Sequence, residues 1–184
     1  MNEAGSALAP VTVRDCSDAD IPSVTAIYAH YVRTSLATFD ETPPSTAEMA
    51  QRRADVRAGG MCFLVATGGA GNTILGFAYA APFRLRTAYR FSVEDSVYVA
   101  PDATRRGIGR ALMSELIARC TVAGFRQMVA VIGDSANAPS IGLHEALGFQ
   151  RIGVMPAIGF KLGRWVDGVL MQRALGSGSS TPPA

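Results

Sequence analysis

The sequence carries almost no excess charge and contains no long apolar run. Its 184 residues include 17 Lys and Arg against 15 Asp and Glu, which gives a formal net charge of +2. Duplex nucleic acid usually requires a dense basic face, so this balance argues against a nucleic-acid partner. No stretch approaches the roughly 20 apolar residues of a membrane span, and residues 1–10 lack the basic start of a secretory signal. We therefore expect a cytoplasmic protein without a membrane partner.

Cysteine is scarce as well. Cys16, Cys62 and Cys120 are odd in number and irregularly spaced, so they predict neither a disulfide framework nor a zinc site. Free cysteine is among the most buried residue types. We expect all three to be packing residues, in a protein that needs no metal.

The apolar content, 48% of the residues, is sufficient for one domain with a substantial core. Both ends are rich in small residues that bury little surface. The sequence therefore predicts a flexible N-terminus at 1–10, a single domain at 11–175 and a disordered C-terminal tail at 176–184.

Hydrophobic periodicity divides the domain into strands and helices. A strand and a helix come first, with Ser17 and Asp20 in a capping-box relation, and Ser45 and Glu48 start a second helix that ends near Arg57. Three strand patterns follow, the first two joined as a hairpin by GGAGN. A helix over 107–123, a strand at QMVAVIG, a helix at APSIGLHEALGF and a strand at GRWVDGVLMQRAL complete the order. This order predicts a mixed α/β or α+β sheet.

The segment TRRGIGRALM places two glycines among arginines where a helix begins. Amides at a helix N-terminus favour anions, and glycines let the backbone approach them, so the segment predicts a phosphate-bearing ligand. A P-loop needs Lys-Ser/Thr after its last glycine, where this chain has Arg110-Ala111. A dinucleotide fingerprint needs a third glycine, where this chain has Leu112. The remaining interpretation is a loop whose amides hold a pyrophosphate.

Four blocks of the sequence, taken together, resemble one family. VYVAPDATRRGIGRALM is similar to the acetyl-coenzyme A signature of the Gcn5-related N-acetyltransferases (GNAT), Gln/Arg-x-x-Gly-x-Gly/Ala. IYAHYVRTSLATFDETP, YAAPFRLRTAYRFSVEDSVYV and VAVIGDSANAPSIGLHEALGF with GFKLGRWVDGVLMQ resemble the phosphinothricin and methionine sulfone acetyltransferase branch. The resemblance implies a single GNAT domain with a central, mostly antiparallel twisted sheet flanked by helices. Thr104 departs from the pattern, which has Gln or Arg at that position.

The resemblance implies acetyl-coenzyme A as the co-substrate and assigns residues to it. Backbone groups of Val97, Tyr98 and Val99 would meet the pantetheine arm as a strand does. Asn137 matches a position near the thioester end, although asparagine there also suits a helix cap. The pyrophosphate would be cradled by the loop, which contains Arg105, Arg106, Gly107, Ile108, Gly109 and Arg110.

Acetyl transfer to an amine needs a proton acceptor, because an α-amine is largely protonated near pH 7. In the resembling enzymes the Glu of a Val-Glu-x-Ser block is the general base, which here is Glu94; the alternative is a solvated edge-strand acid. Asp95 points to the opposite strand face, and we expect it at the pocket rim. His144 is either a second catalytic candidate or a structural histidine. Tyr98 either reprotonates the departing thiolate or serves as a packing residue. Direct attack in a ternary complex is favoured over a covalent cysteine route.

The acceptor is predicted to be a small amino-acid-like amine with a second oxyanion or sulfonyl group, since guanidinium forks recognise such oxygens. The resemblance implies phosphinothricin, methionine sulfoximine or methionine sulfone, and hence a role in resistance to such compounds. The residues assigned to the acceptor are Phe39, Arg84, Arg86, Tyr89, Glu94, Ser96 and Lys161.

Several of these assignments have ordinary structural alternatives. The arginines also fit a solvated loop, and Phe39 fits a packing anchor. Trp165 fits either the pocket or a subunit interface; family members are commonly homodimers. An acetyltransferase for peptide or protein amines would share the loop and Glu94, whereas a non-catalytic acyl-coenzyme A sensor would keep the loop without needing Glu94.

Overall fold

In the computed structural model, which describes residues 11–69 and 72–183, seven strands form one sheet in the order β1-β2-β3-β4-β5-β7-β6. Every neighbouring pair is antiparallel except β4 and β5. The strands are β1 (Thr12–Asp15), β2 (Phe63–Gly68), β3 (Thr73–Pro82), β4 (Ser92–Val99), β5 (Gln127–Gly133), β6 (Gln150–Lys161) and β7 (Arg164–Ala174). The α-helices are α1 (Ile21–Thr34), α2 (Thr46–Ala58), α3 (Ile108–Val122) and α4 (Ala138–Ala146). The predicted mixed, mostly antiparallel sheet is confirmed.

The two predicted capping boxes are present at the starts of the first two helical segments. Ser17 donates from its backbone N and its Oγ to Asp20, both at 2.7 Å. This box starts a 3-10 turn that leads into α1. At α2, the Ser45 N donates to Glu48 at 2.7 Å and the Glu48 N donates to Ser45 Oγ at 3.2 Å. Each box satisfies backbone donors that a helix start leaves free.

The helices cover both faces of the sheet. Tyr28 of α1 lies edge-on to Phe77 of β3, with ring centroids 6.4 Å apart. A Cβ on the preceding residue, Gly76, would lie 3.2 Å from Leu112 of α3. Adjacent strand residues point to opposite faces, so α1 and α3 lie on opposite sides of β3. This sandwich explains why every residue of β2 is buried.

Strand β6 was missed by the sequence analysis, which predicts one strand after the last helix where the structure has two. β6 is the edge strand and pairs with β7. Its sequence, QRIGVMPAIGFK, contains two glycines and a proline, and its register shifts twice, between Arg151 and Gly153 and between Met155 and Gly159. Such irregularities erase the two-residue period by which a strand is recognised.

The structure describes the C-terminal end of the chain up to residue 183 but not residues 1–10. The predicted flexible N-terminus at 1–10 lies outside the described residues. Residues 176–183, predicted to be disordered, form turns against the domain: Arg126 donates to the carbonyl oxygens of Gly178 at 2.8 Å and Thr181 at 2.7 Å. Within 11–69 and 72–183, the helices are too short or too polar to span a bilayer.

Candidate active site

Strands β4 and β5 pair briefly and then separate. Their parallel register covers three positions and ends with Glu94 opposite Val129. Beyond that point β4 continues through residues 95–99 beside β3, and β5 continues through residues 130–133 beside β7. We call the space between these two unpaired stretches the β4–β5 gap.

The register of β3 and β4 determines which backbone groups face this gap. The Ala100 N donates to the Leu75 carbonyl at 2.8 Å, and the Phe83 N donates to the Ser92 carbonyl at 3.2 Å. In an antiparallel pair, alternate residues exchange hydrogen bonds with the partner strand. The even-numbered residues of β4 therefore bond to β3, and the odd-numbered ones direct their N–H and C=O groups towards β5.

Two of the three predicted pantetheine-binding residues consequently face the β4–β5 gap. They are Val97 and Val99, whereas the backbone groups of Tyr98 face β3. The Val99 carbonyl already accepts a hydrogen bond from the Tyr31 hydroxyl at 2.6 Å. The Val97 N–H and C=O and the Val99 N–H remain directed into the gap, where an extended amide chain could bond to them as an added strand does.

A cavity of about 1260 Å³ includes this gap. Its wall contains β4 from Glu94 to Val99, the last four residues of β5, the loop that follows α1 and the glycine loop before α3. This volume slightly exceeds the ~300–1,000 Å³ of common ligand pockets.

The glycine loop lines one part of the cavity. Gly107 has φ +77° and precedes the first helical residue of α3, a backbone conformation that costs other residues roughly 1–2 kcal/mol. Of the predicted pyrophosphate cradle, the residues in the wall are Arg105, Gly107, Ile108, Gly109 and Arg110; Arg106 is not among them. The first-turn amides of α3 lack helical partners and carry the positive end of the helix dipole. An anion is favoured there.

The discordant Thr104 and the candidate Asn137 both make local bonds. Thr104 donates to the Pro101 carbonyl at 3.4 Å, so its hydroxyl closes the turn that precedes the glycine loop. Asn137 caps α4 by accepting from the Ser140 N at 3.3 Å, and it also lines the cavity. The helix-cap reading of Asn137 is confirmed, and a contact with the co-substrate stays a prediction.

Glu94 lies at the point where β4 and β5 separate, and it lines the cavity half-buried. Burial raises the pKa of its carboxyl, the neighbouring charge of Asp95 raises it further, and Arg84 opposes both. A carboxylate with a raised pKa is a stronger base than one in water. The position and environment of Glu94 suit proton abstraction.

Asp95 is buried rather than at the pocket rim, at 7% exposure. Its Oδ2 lies 3.0 Å from Nε2 of His144, whose Nδ1 lies 2.7 Å from the Ser140 carbonyl oxygen. A carbonyl only accepts, so Nδ1 carries a hydrogen, and one further proton must lie between Nε2 and Oδ2. Burial alone would lower the pKa of His144, but the hydrogen bond and charge of Asp95 raise it. Both ring nitrogens are engaged, as in a structural histidine; a catalytic role for His144 stays a prediction.

Tyr98 belongs to an aromatic cluster above the cavity. Its ring centroid lies 5.0 Å from that of Tyr28, 5.4 Å from that of Tyr31 and 5.3 Å from that of Phe77. Burial raises the pKa of its phenol well above the ordinary value, so the hydroxyl stays protonated near neutral pH. Tyr98 thus packs in this cluster and also lines the cavity, and a role in proton transfer stays a prediction.

The residues predicted to bind the acceptor do not all meet in the cavity. Phe39, Glu94 and Ser96 line it. The exposed loop between β3 and β4 holds Arg84, Arg86 and Tyr89, which are absent from the cavity wall.

Lys161 is also outside the wall. It is 2% exposed and donates to the Thr38 carbonyl at 2.7 Å, and burial lowers its pKa. Lys161 therefore holds the loop that carries Phe39.

Arg52 of α2 lines the cavity and was missed by the sequence analysis. Its guanidinium lies 3.4 Å from Asp40, 3.5 Å from the Tyr79 hydroxyl and 5.2 Å from the Tyr28 ring centroid. Helical periodicity marks Arg52 as polar but does not say what the polar face of α2 meets. Among the described residues, no three His, Cys, Asp or Glu side chains are grouped as a metal site requires.

The acetyltransferase (GNAT) family model matches residues 24–149. A phosphinothricin N-acetyltransferase of Alcaligenes faecalis is 52% identical over 172 residues, which are 94% of this chain and 86% of that protein. An L-methionine sulfoximine/L-methionine sulfone acetyltransferase of Pseudomonas aeruginosa is 42% identical over 174 residues, 93% of this chain and 98% of that protein.

A solved structure agrees with these relatives. The crystal structure of a GNAT superfamily phosphinothricin acetyltransferase from Sinorhizobium meliloti, in complex with AcCoA, matches with a TM-score of 0.91 and 52% identity. The match covers 95% of this chain and 93% of that one. The separated strands, the glycine loop and the sequence relatives thus agree, and the chain belongs to the GNAT family of acetyltransferases.

Proposed function

We propose that this protein transfers the acetyl group of acetyl-coenzyme A to the α-amino group of a small amino-acid-like acceptor of the phosphinothricin, methionine sulfoximine or methionine sulfone type. The observation that carries the proposal is one cavity that joins the β4–β5 gap, the glycine loop and Glu94. Relatives named for these acceptors, at 52% and 42% identity, support the acceptor class.

The residues present fit acetyl-coenzyme A. Backbone groups of Val97 and Val99 face the gap and suit the amides of the pantetheine arm. The free amides at the start of α3, flanked by Arg105 and Arg110 in the cavity wall, suit a pyrophosphate. Thr104 replaces the family's Gln or Arg without removing these amides. The bound co-substrate would supply an acetyl group activated as a thioester.

Glu94 acts as the general base in this proposal. Its raised pKa lets the carboxylate take a proton from the acceptor's ammonium group before attack. Tyr98, kept protonated by burial, donates a proton to the departing thiolate in this proposal. No cysteine takes part, since Cys16 and Cys120 are buried and none of the three lines the cavity. Attack is direct, within a ternary complex.

The acceptor's oxyanion is assigned to Arg52. This guanidinium is in the cavity wall, on the helix pair that faces the same side of the sheet as Tyr98. A guanidinium recognises planar or tetrahedral oxyanions through paired hydrogen bonds. Arg84 lies outside the cavity wall, and its positive charge acts on the site by lowering the pKa of Glu94.

The test is a thiol-release assay with acetyl-coenzyme A and a panel of acceptors: phosphinothricin, methionine sulfone, polyamines, aminoglycosides and a peptide. We expect turnover with the first two. Turnover with the peptide alone would replace this proposal by a peptide acetyltransferase, and tight binding of acetyl-coenzyme A without turnover on any amine would support the sensor.

A cytoplasmic location, a homodimeric assembly and a role in resistance to phosphinothricin-like compounds belong to the same proposal. The identity to enzymes named for these substrates supports the resistance role. Growth of a sensitive host that expresses the chain, in the presence of phosphinothricin, tests that role directly.

A further inference from the structure

Tyr31, in the last turn of α1, contacts a strand that lies far away in the sequence. Its hydroxyl donates to the carbonyl oxygen of Val99 at 2.6 Å, across 68 residues. Its ring centroid lies 5.4 Å from that of Tyr98, so the ring rests on the end of β4. Tyr31 belongs neither to the glycine loop nor to the candidate proton-transfer groups, and this contact therefore needs an explanation of its own.

The carbonyl that accepts this bond lies where β4 has a strand neighbour on one side only. Val99 is the last residue of β4 and pairs with Gly76 of β3, whereas the pairing of β4 with β5 has already ended at Glu94. Because Val99 is odd-numbered, its carbonyl points into the β4–β5 gap. In a continuous sheet an N–H of the next strand would donate to this oxygen. Here the Tyr31 hydroxyl takes that place.

The chain that follows Val99 leads directly into the glycine loop. The Ala100 N donates to the Leu75 carbonyl at 2.8 Å, and Pro101–Ala103 form a 3-10 turn before the loop. The bond from Tyr31 and the bond to Leu75 thus hold two consecutive residues from opposite sides of β4. The gap and the glycine loop are joined at this point.

The Tyr31 hydroxyl is suited to act as a permanent donor. Tyr31 is half-buried and lines the cavity. Burial raises the pKa of its phenol, and the bond to Val99 opposes that rise only in part. A solvated tyrosine already titrates near about 10. The hydroxyl therefore keeps its proton at neutral pH and continues to donate to the carbonyl.

We propose that Tyr31 is a positioning residue for acetyl-coenzyme A, whose hydroxyl keeps the Val99 carbonyl hydrogen-bonded when the pantetheine arm occupies the β4–β5 gap. A buried carbonyl without a donor is unfavourable, and an extended chain in the gap would exclude the water that could otherwise donate. Tyr31 acts through Val99 and leaves the Val97 N–H and C=O and the Val99 N–H for the arm. The inference concerns the co-substrate and holds for any acceptor amine.

Tyr31→Phe tests the proposal because it removes the hydroxyl and keeps the ring that packs on Tyr98. In the free variant, water in the gap can donate to the Val99 carbonyl, so the melting temperature should stay close to that of the wild type. Binding of the arm expels this water and leaves the carbonyl without a donor. Calorimetry should therefore show about tenfold weaker binding of acetyl-coenzyme A, the effect of one hydrogen bond lost at a buried group.

A second probe separates the gap from the glycine loop. Phosphoadenosine diphosphate is coenzyme A without its pantetheine arm, so it offers its phosphates to the loop amides and leaves the gap open to water. Its affinity should be the same in Tyr31→Phe and in the wild type. An equal loss of affinity for both ligands would show that the variant disturbs the whole site, and it would overturn the proposal.

Thr25→Val is the matched control, on the same helix. The Thr25 hydroxyl is buried and donates to the Ile21 carbonyl at 2.8 Å, but Thr25 is not in the cavity wall. This nearly isosteric variant also loses a hydroxyl-to-carbonyl bond, and both ligands should bind to it as they bind to the wild type.

Kinetics supply a further readout. With an acceptor that the wild type acetylates, Tyr31→Phe should raise KM for acetyl-coenzyme A and leave kcat at saturation unchanged. The binding measurements need no acceptor, so they decide the role of Tyr31 even where the proposed acceptor class is wrong. Acetyl-coenzyme A that binds to Tyr31→Phe as tightly as to the wild type, or more tightly, would overturn the proposal, because the arm would then satisfy the Val99 carbonyl by itself.

Discussion

Replacing Glu94 with glutamine tests the mechanism with little disturbance of the fold. The side chain keeps its size and its place at the end of the β4–β5 pairing, but it can no longer accept a proton. Since a positioned general base contributes about 10²–10⁴-fold, kcat should fall by that factor, or about 3–5 kcal/mol of transition-state stabilisation. Affinity for acetyl-coenzyme A should change little, because the glycine loop and the odd-numbered backbone groups of β4 are untouched.

The pH dependence adds a second readout. Glu94 must be ionised to act, so kcat/KM of the wild type should rise with pH through the pKa of Glu94. Burial and Asp95 raise that pKa, which places the midpoint above the ~4.3 of a solvated glutamate. The variant should lack this rise.

The Glu94→Gln substitution should lower activity without lowering the free energy of unfolding. Because the folded pKa of Glu94 is raised, its favourable contribution to folding is complete below the unfolded pKa and is lost as pH rises through the folded one. At pH 7 the variant should therefore be as stable as the wild type or more so, by urea denaturation. Glu115→Gln is the control: it removes a carboxylate that pairs with Arg119 at 2.8 Å outside the cavity, and turnover should not change. A Glu94→Gln enzyme that turns over at the wild-type rate, with the same pH profile, would refute the assignment of the base.

Three further substitutions test the cavity and the fold. Gly133→Ala would place a Cβ 2.1 Å from the Leu36 carbonyl oxygen, which must displace the loop that carries Phe39, so KM for the acceptor should rise. Gly142→Ala is the control, because a Cβ there would have no atom within 4 Å, and it should leave KM unchanged. An equal KM effect in both variants would contradict this prediction. Gly107→Ala forces alanine into φ +77°, at roughly 1–2 kcal/mol. If the free loop relaxes from this strain, the strain must be restored on binding, so calorimetry should show about tenfold weaker binding of acetyl-coenzyme A; unchanged affinity would contradict this prediction. Asp20→Asn removes the charge and one of the two oxygens that accept from Arg14, at 2.6 and 2.8 Å, and should cost about 1–3 kcal/mol in urea denaturation at pH 7. Arg14 lowers the pKa of Asp20, so the wild type should lose this stabilisation as pH falls below the unfolded-state pKa of about 3.9. A variant as stable as the wild type at pH 7 would contradict this prediction.

Features that depend on neighbouring residues in the chain could be predicted from the sequence. The Ser45–Glu48 box and the glycine loop before α3 are determined by residues three or four positions apart, and both are where the sequence places them. Contacts between distant segments could not be predicted. Arg52 reaches the cavity only because α2 lies against the sheet beside Tyr79, 27 residues away. Asp95 meets His144 across 49 residues, so the alternation rule could assign its face but not its partner.

The two consecutive acids show why the register of β4 matters for activity. Seven consecutive pairs with β3, from Val93 to Val99, fix that register. It directs Glu94 to the face of Tyr98 and Asp95 to the face where His144 lies. A slip of one residue would exchange the two carboxylates and turn the Val97 amide from the β4–β5 gap towards β3. The proposed base and the backbone groups that suit the co-substrate therefore depend on a single structural requirement, the pairing of β4 with β3.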